Sequence, residues 1–93
     1  MKKLKTKSGY IVYEVTAEEL YKYMDSPGIC DFCDNPSREG YLIPVINRFY
    51  CPKCFVEFNS NSTYYPTDIP VETKNAAYYE SLIPLDNNEE VEQ

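Results

Sequence analysis

Apolar residues alternate through Gly9–Val15 (GYIVYEV), with Tyr10 and Val12 on one face and Ile11, Tyr13 and Val15 on the other. The run is rich in Val, Ile and Tyr, which fit a pleated surface, and predicts a β-strand. At Thr16 the period lengthens. Thr16 and Glu19 have the spacing of a capping box, and Val15 and Leu20 that of a hydrophobic staple. Ala17, Leu20, Tyr21 and Met24 then share one side of a short helix, which Asp25-Ser26-Pro27-Gly28 ends. After a turn-rich stretch (DNPSREG), the run YLIPVI predicts a second strand. Pro44 has no N–H to give to a ladder, which puts that strand at an edge or a bulge. Asn47-Arg48 reads as a tight turn, since Asn tolerates positive φ, and Phe49-Tyr50-Cys51 as the returning strand. CPKCFVEFN opens a helix with Pro52 at its first position and Phe55 and Phe58 on one face. SNSTYYPTDIP reads as a loop. VETKNAAYYESLI reads as a helix between Pro70 and Pro84, its apolar stripe formed by Ala76, Tyr79 and Leu82/Ile83. The pattern predicts an α+β fold in one small domain over residues 1–86, and a disordered acidic tail over 87–93.

Length changes how this pattern must be stabilised. A chain of 93 residues buries a modest share of its surface, and domains of this size often carry a staple. Charge narrows the partners. The net charge is −6, but Lys2, Lys3, Lys5 and Lys7 hold four of the nine basic residues, leaving five against fifteen acidic ones elsewhere. Phosphate binding rests on clusters of Lys and Arg, so the acidic body argues against duplex nucleic acid. It suits solubility or a basic protein partner. The lysine-rich start reads as a solvated tail. It begins like a secretory signal, but Ser8, Gly9 and Glu14 interrupt any apolar core, and no run approaches a membrane span. The expectation is a cytoplasmic protein, in which Asn61-Ser62-Thr63 is not a glycosylation site and thiols stay reduced.

The chemistry is concentrated in Cys30, Cys33, Cys51 and Cys54, two Cys-x-x-Cys pairs separated by 17 residues. A Cys-x-x-Cys turn sets two sulfurs on one side of an ion, and a second pair brought close by a hairpin completes a tetrahedron. The separation falls in the range expected for Zn²⁺, which takes four tetrahedral ligands and is suited by thiolate sulfur at about 2.3 Å. Three alternatives compete. A redox dithiol uses one pair at a helix N-terminus, a condition Cys51 and Cys54 meet, but it would leave Cys30 and Cys33 idle. Disulfides require an oxidising compartment. Iron can occupy the same four sulfurs.

The order of a Cys-x-x-Cys knuckle, a hairpin (GYLIPVINRFYC) and a helix whose first turn holds the second pair (CPKCFVEF) resembles the treble-clef zinc fingers over residues 30–60. The resemblance implies Cys30, Cys33, Cys51 and Cys54 as ligands of one structural Zn²⁺. A zinc ribbon, with both pairs on hairpins, is the nearest alternative; neither pair here is followed by that pattern's glycine, Asp34 and Phe55 standing there instead. Treble clefs serve many functions, so the arrangement speaks for the metal rather than for the task.

Four thiolates close the shell, and the chain has no histidine to act as general base. Asp34, Glu39 and Glu57 form no recognisable carboxylate pair. No enzyme activity is expected. The expected role is a non-catalytic protein-interaction module, in keeping with ten tyrosines, a residue enriched at interfaces. Tyr10, Tyr13, Tyr21 and Tyr50 read as core, whereas Tyr64-Tyr65 and Tyr78-Tyr79 divide between core and surface. Two further readings stand beside it. One is an acidic inhibitor or decoy of a nucleic-acid-binding protein, of the kind a phage or mobile element carries. The other is nucleic-acid binding through the lysine arm and stacked tyrosines. Arg38, Arg48 and Lys53, too few for a phosphate patch, are expected to donate to or screen the thiolates.

Overall fold

The computed structural model describes residues 1–86; the acidic segment expected as a disordered tail, 87–93, lies outside the described residues. Strands β1 (Lys2–Lys5), β2 (Ile11–Thr16), β3 (Glu39–Ile43) and β4 (Arg48–Tyr50) form one antiparallel sheet in chain order. Helix α1 (Ala17–Met24) follows β2, α2 (Pro52–Asn61) follows β4, and α3 (Ile69–Leu82) closes the described chain after a single 3₁₀ turn at Pro66–Asp68. The class is α+β, as the pattern predicts.

β1 is a correction. The lysine-rich start is a strand rather than a solvated tail, paired with β2 in the register Lys2↔Glu14, Lys3↔Tyr13, Leu4↔Val12 and Lys5↔Ile11. Met1 and Thr6 are buried and Leu4 is half-buried, so the run has apolar anchors between its charges. Gly9, at φ 111°, supplies the positive dihedral that lets Thr6–Tyr10 turn back.

The β2 alternation holds as read. Tyr13 and Val15 join Leu42, Phe49, Leu20, Ala76, Tyr79 and Ile83 in one buried cluster between the sheet, α1 and α3. Tyr10, on the opposite face, meets Phe58 of α2, while Tyr41 stacks on Phe55 at 4.0 Å. The sheet is therefore covered on both faces, but unequally. No residue of α2 is fully buried, and aromatic contacts hold it.

Local signals explain the helix ends. Thr16 accepts the Glu19 N–H at 3.1 Å and Glu19 accepts the Thr16 N–H at 3.0 Å, completing the capping box. Asp25 ends α1 in the left-handed conformation at φ 53°, and the Ser26 N–H reaches back to the Leu20 carbonyl. Tyr21 is a correction: it is 72% exposed, and Tyr23 packs on the core in its place. The buried side of this two-turn helix centres on Leu20, with Tyr23 and Met24 flanking it, and Tyr21 lies a further quarter-turn away.

Three other boundaries shift. β3 begins at Glu39 and stops at Ile43, because Pro44 opens a turn rather than bulging a strand; Asn47, at φ 53°, makes the left-handed step. α2 runs on to Asn61, and α3 begins at Ile69, taking Pro70 into its first turn. The α3 stripe carries an unexpected member. Glu72 is buried one turn before Ala76 and accepts the Ile11 N–H. The tyrosine doublets split: Tyr79 is buried with Tyr78 exposed, and Tyr64 packs on Tyr10 at 4.9 Å with Tyr65 exposed. Among the described residues no helix is long and apolar enough to cross a membrane.

Candidate metal centre

The first cysteine pair sits on a tight turn. The Asp34 N–H donates to the Cys30 carbonyl at 2.9 Å, and the Phe32 N–H points at the Cys30 sulfur at 3.4 Å. Asp34 occupies the left-handed region at φ 62°. That is the conformation glycine usually serves, so the missing glycine is replaced by an aspartate the turn tolerates. Asn35 closes the turn, its amide reaching the Cys33 sulfur at 3.5 Å and its carbonyl accepting the Cys30 N–H at 3.0 Å.

Asp31 docks this turn on the sheet. Its N–H donates to the Phe49 carbonyl and its carboxylate accepts the Phe49 N–H, each at 2.8 Å. β4 then runs through Phe49 and Tyr50 directly into Cys51, the residue that caps α2, and Cys54 lies in the first helical turn. Gly40 allows the close approach of β3 and β4 behind the site. A Cβ there would lie 2.4 Å from the Tyr50 carbonyl oxygen and 2.7 Å from the Phe49 ring.

Together these elements place the four sulfurs of Cys30, Cys33, Cys51 and Cys54 within 4.8 Å of one another, with Cys33 and Cys51 at 3.9 Å. A tetrahedron of sulfurs about 2.3 Å from a central ion has edges of about 3.8 Å. The quartet therefore needs only a small contraction to close on a metal. Its acid–base chemistry points the same way. Burial alone would raise the Cys30 thiol, but the backbone N–H groups of Cys33, Cys51 and Phe32 outweigh burial and lower it to about 6. Cys54 is pushed up to about 12, by burial and then by its hydrogen bonds to the other three sulfurs. Four thiolates this close repel one another, and a divalent cation at their centre removes the conflict. The four cysteines can hold a metal ion.

No protein-family model, curated protein or solved structure matches the chain. What the site can do is therefore read from its own surroundings. Arg38, Arg48 and Lys53 are not its donors: among the described residues the groups reaching sulfur from outside the quartet are the Phe32 N–H and the Asn35 amide. Asp34, Glu39 and Glu57 are all exposed. The sequence reading missed Phe32, Tyr50 and Phe58 as neighbours of the centre; with Cys54, Glu57 and Asn61 they line a hollow of about 250 Å³. The signal was available in part, since Phe32 lies inside the first cysteine pair and its turn had to project one side chain outward.

Proposed function

We propose that Cys30, Cys33, Cys51 and Cys54 hold one structural Zn²⁺ in a treble-clef arrangement, and that the protein is a non-catalytic interaction module whose partner is another protein. The observation carrying this reading is the closeness of the four sulfurs, all within 4.8 Å. The treble clef is favoured over the zinc ribbon because the second pair stands at the N-terminus of α2 rather than on a second hairpin.

The metal's contribution is to folding. α2 has no fully buried residue and rests on the sheet through the rings of Phe55 and Phe58, so the metal would add the fastening that a buried face does not supply. Structural zinc supplies on the order of 10–16 kcal/mol in finger peptides, comparable to a whole domain's stability. A closed thiolate shell leaves no open position for substrate, which supports a structural role. The interaction role is supported by apolar side chains left exposed within two residues of a cysteine in the chain, with Phe32 and Val56 each 64% exposed and Ile29 43%.

Two measurements test the proposal. Elemental analysis of reduced, purified protein is expected to find one zinc per chain and colourless protein; a red iron–thiolate spectrum would replace zinc with iron. Serine at Cys30 or Cys54 is expected to abolish tight binding and unfold α2, and a normally folded, metal-free Cys54→Ser variant defeats the structural role. For the interaction role, a protein partner retained by the wild type is expected to be released by Val56→Glu with zinc content unchanged. Salt-sensitive retention of nucleic acid, or competition with nucleic acid for a basic protein, would instead select the two other readings.

A further inference from the structure

The hollow beside the sulfurs has a feature the staple does not need. Phe32 is 64% exposed, so burial does not account for a large apolar ring at that turn. Its ring lies 5.8 Å from that of Tyr50, and Tyr50 lies 6.1 Å from Phe58 at an interplanar angle of 90°. These three rings line a hollow of about 250 Å³ together with Cys54, Glu57 and Asn61. Small-molecule pockets run to roughly 300–1,000 Å³, so this one suits a single side chain.

Its electrostatics favour one sign. Aromatic faces carry negative potential and attract cations. Among the described residues no lysine or arginine lies within ion-pairing distance of the Glu57 carboxylate. Cys54 belongs to the lining, and four thiolates around a divalent ion keep a charge of about −2. Lys53 lines an adjoining, larger hollow that shares Phe32, Cys54 and Glu57 with this one, and it makes no ion pair with Glu57.

We propose that this hollow receives an arginine side chain of a partner protein, its guanidinium stacked among the rings and forked onto Glu57. The inference rests on the metal-centre and interaction reading above and gives its partner a chemistry. Guanidinium is planar, weakly hydrated and able to meet a carboxylate with two parallel N–H donors, which an ammonium cannot do. An uncharged apolar side chain would cover Glu57 without pairing it.

The test is a shift titration of zinc-loaded, isotope-labelled protein with N-acetyl-arginine methylamide and its citrulline, lysine and norleucine counterparts. Citrulline keeps the shape of arginine and lacks the charge. Arginine is expected to move signals of Phe32, Tyr50, Glu57 and Phe58, and to bind at least about tenfold more tightly than citrulline or norleucine and several-fold more tightly than lysine. Glu57→Gln, on an exposed position of α2, is expected to remove most of that preference while zinc content stays at one per chain. Equal binding of citrulline, tightest binding of norleucine, or shifts centred elsewhere overturns the inference. Zinc is measured on the same sample. A zinc-loaded protein without arginine preference defeats this inference alone, whereas a folded protein without zinc defeats the metal-centre reading and this inference with it.

Discussion

Gly40→Ala is the sharpest perturbation of the frame behind the metal centre. The added methyl would meet the Tyr50 carbonyl oxygen at 2.4 Å and the Phe49 ring at 2.7 Å. Ordinary heavy-atom contact is about 3.5 Å or more, so β3 and β4 must part by about 1 Å. The oxygen is backbone and cannot rotate away. Overpacking of this kind costs about 1–3 kcal/mol, against which alanine recovers about 0.5–1 kcal/mol of backbone entropy in a strand. The expected net loss is about 1–2 kcal/mol, or roughly 5–15 °C in Tm for a chain of this length. Because β4 leads straight into Cys51, the same displacement is expected to speed zinc release to a chromophoric chelator. Urea unfolding followed by far-UV CD in zinc-buffered solution gives the first quantity, and stopped-flow chelation the second. Phe49→Leu is expected to restore part of the loss, since it removes the ring contact and leaves the oxygen. If Gly40→Ala stays within about 0.5 kcal/mol of wild type and releases zinc at the same rate, strand approach does not set the site.

Five further substitutions probe the rest of the fold. Asp25→Gly removes the left-handed penalty at the end of α1 and is expected to stabilise by about 0.5–1 kcal/mol in urea unfolding, with Asp34→Gly acting in the same direction at the cysteine turn; destabilisation by either would mean the aspartate side chain matters more than its backbone. Tyr79→Phe removes the hydroxyl that donates to Asn47 Oδ1 at 2.6 Å, for an expected loss of about 1 kcal/mol, whereas exposed Tyr78→Phe is expected to be neutral, and equal effects of the two contradict the assignment. For Glu80, burial would raise the carboxyl, but the Tyr13 hydroxyl and the Lys3 ammonium at 3.1 Å outweigh it and hold it below its ordinary 4.5. Its folded value lies below its unfolded one, so its stabilisation is complete above the unfolded value and is lost as pH falls through the folded value. Glu80→Gln is expected to flatten the fall in stability as pH drops below the ordinary carboxyl value of 4.5, and an unchanged slope there removes Glu80 from the acid limb.

What was legible in the sequence was what local chemistry decides. The capping box at Thr16 and Glu19, the left-handed step at Asn47, the helix start at Pro52 and the closeness of the four cysteines each follow from residue types at short spacing. What was not legible depends on partners far along the chain. The lysines of β1 are a strand because β2 offers a ladder and Glu14 stands opposite Lys2. Glu72 is buried because the N–H of Ile11 needs an acceptor, and Tyr21 is exposed because the sheet selects Tyr23. Around the centre, the cysteines announced themselves, while the aromatic rim of Phe32, Tyr50 and Phe58 came together only through the docking of Asp31 on β4.

The lysines of β1 have one more consequence. Lys2, Lys3 and Lys5 are exposed on the outermost strand, whose outer flank offers amides and carbonyls to any passing extended chain. A second molecule trying to continue the sheet there would bring two rows of ammonium groups into register, and their repulsion keeps small sheets from stacking into fibres. Acetylating Lys2 and Lys5, or replacing them with threonine, is expected to lower that barrier, while Lys3 stays paired with Glu80. The same residues that look like a nucleic-acid arm in the sequence thus line the open edge of the sheet with positive charge.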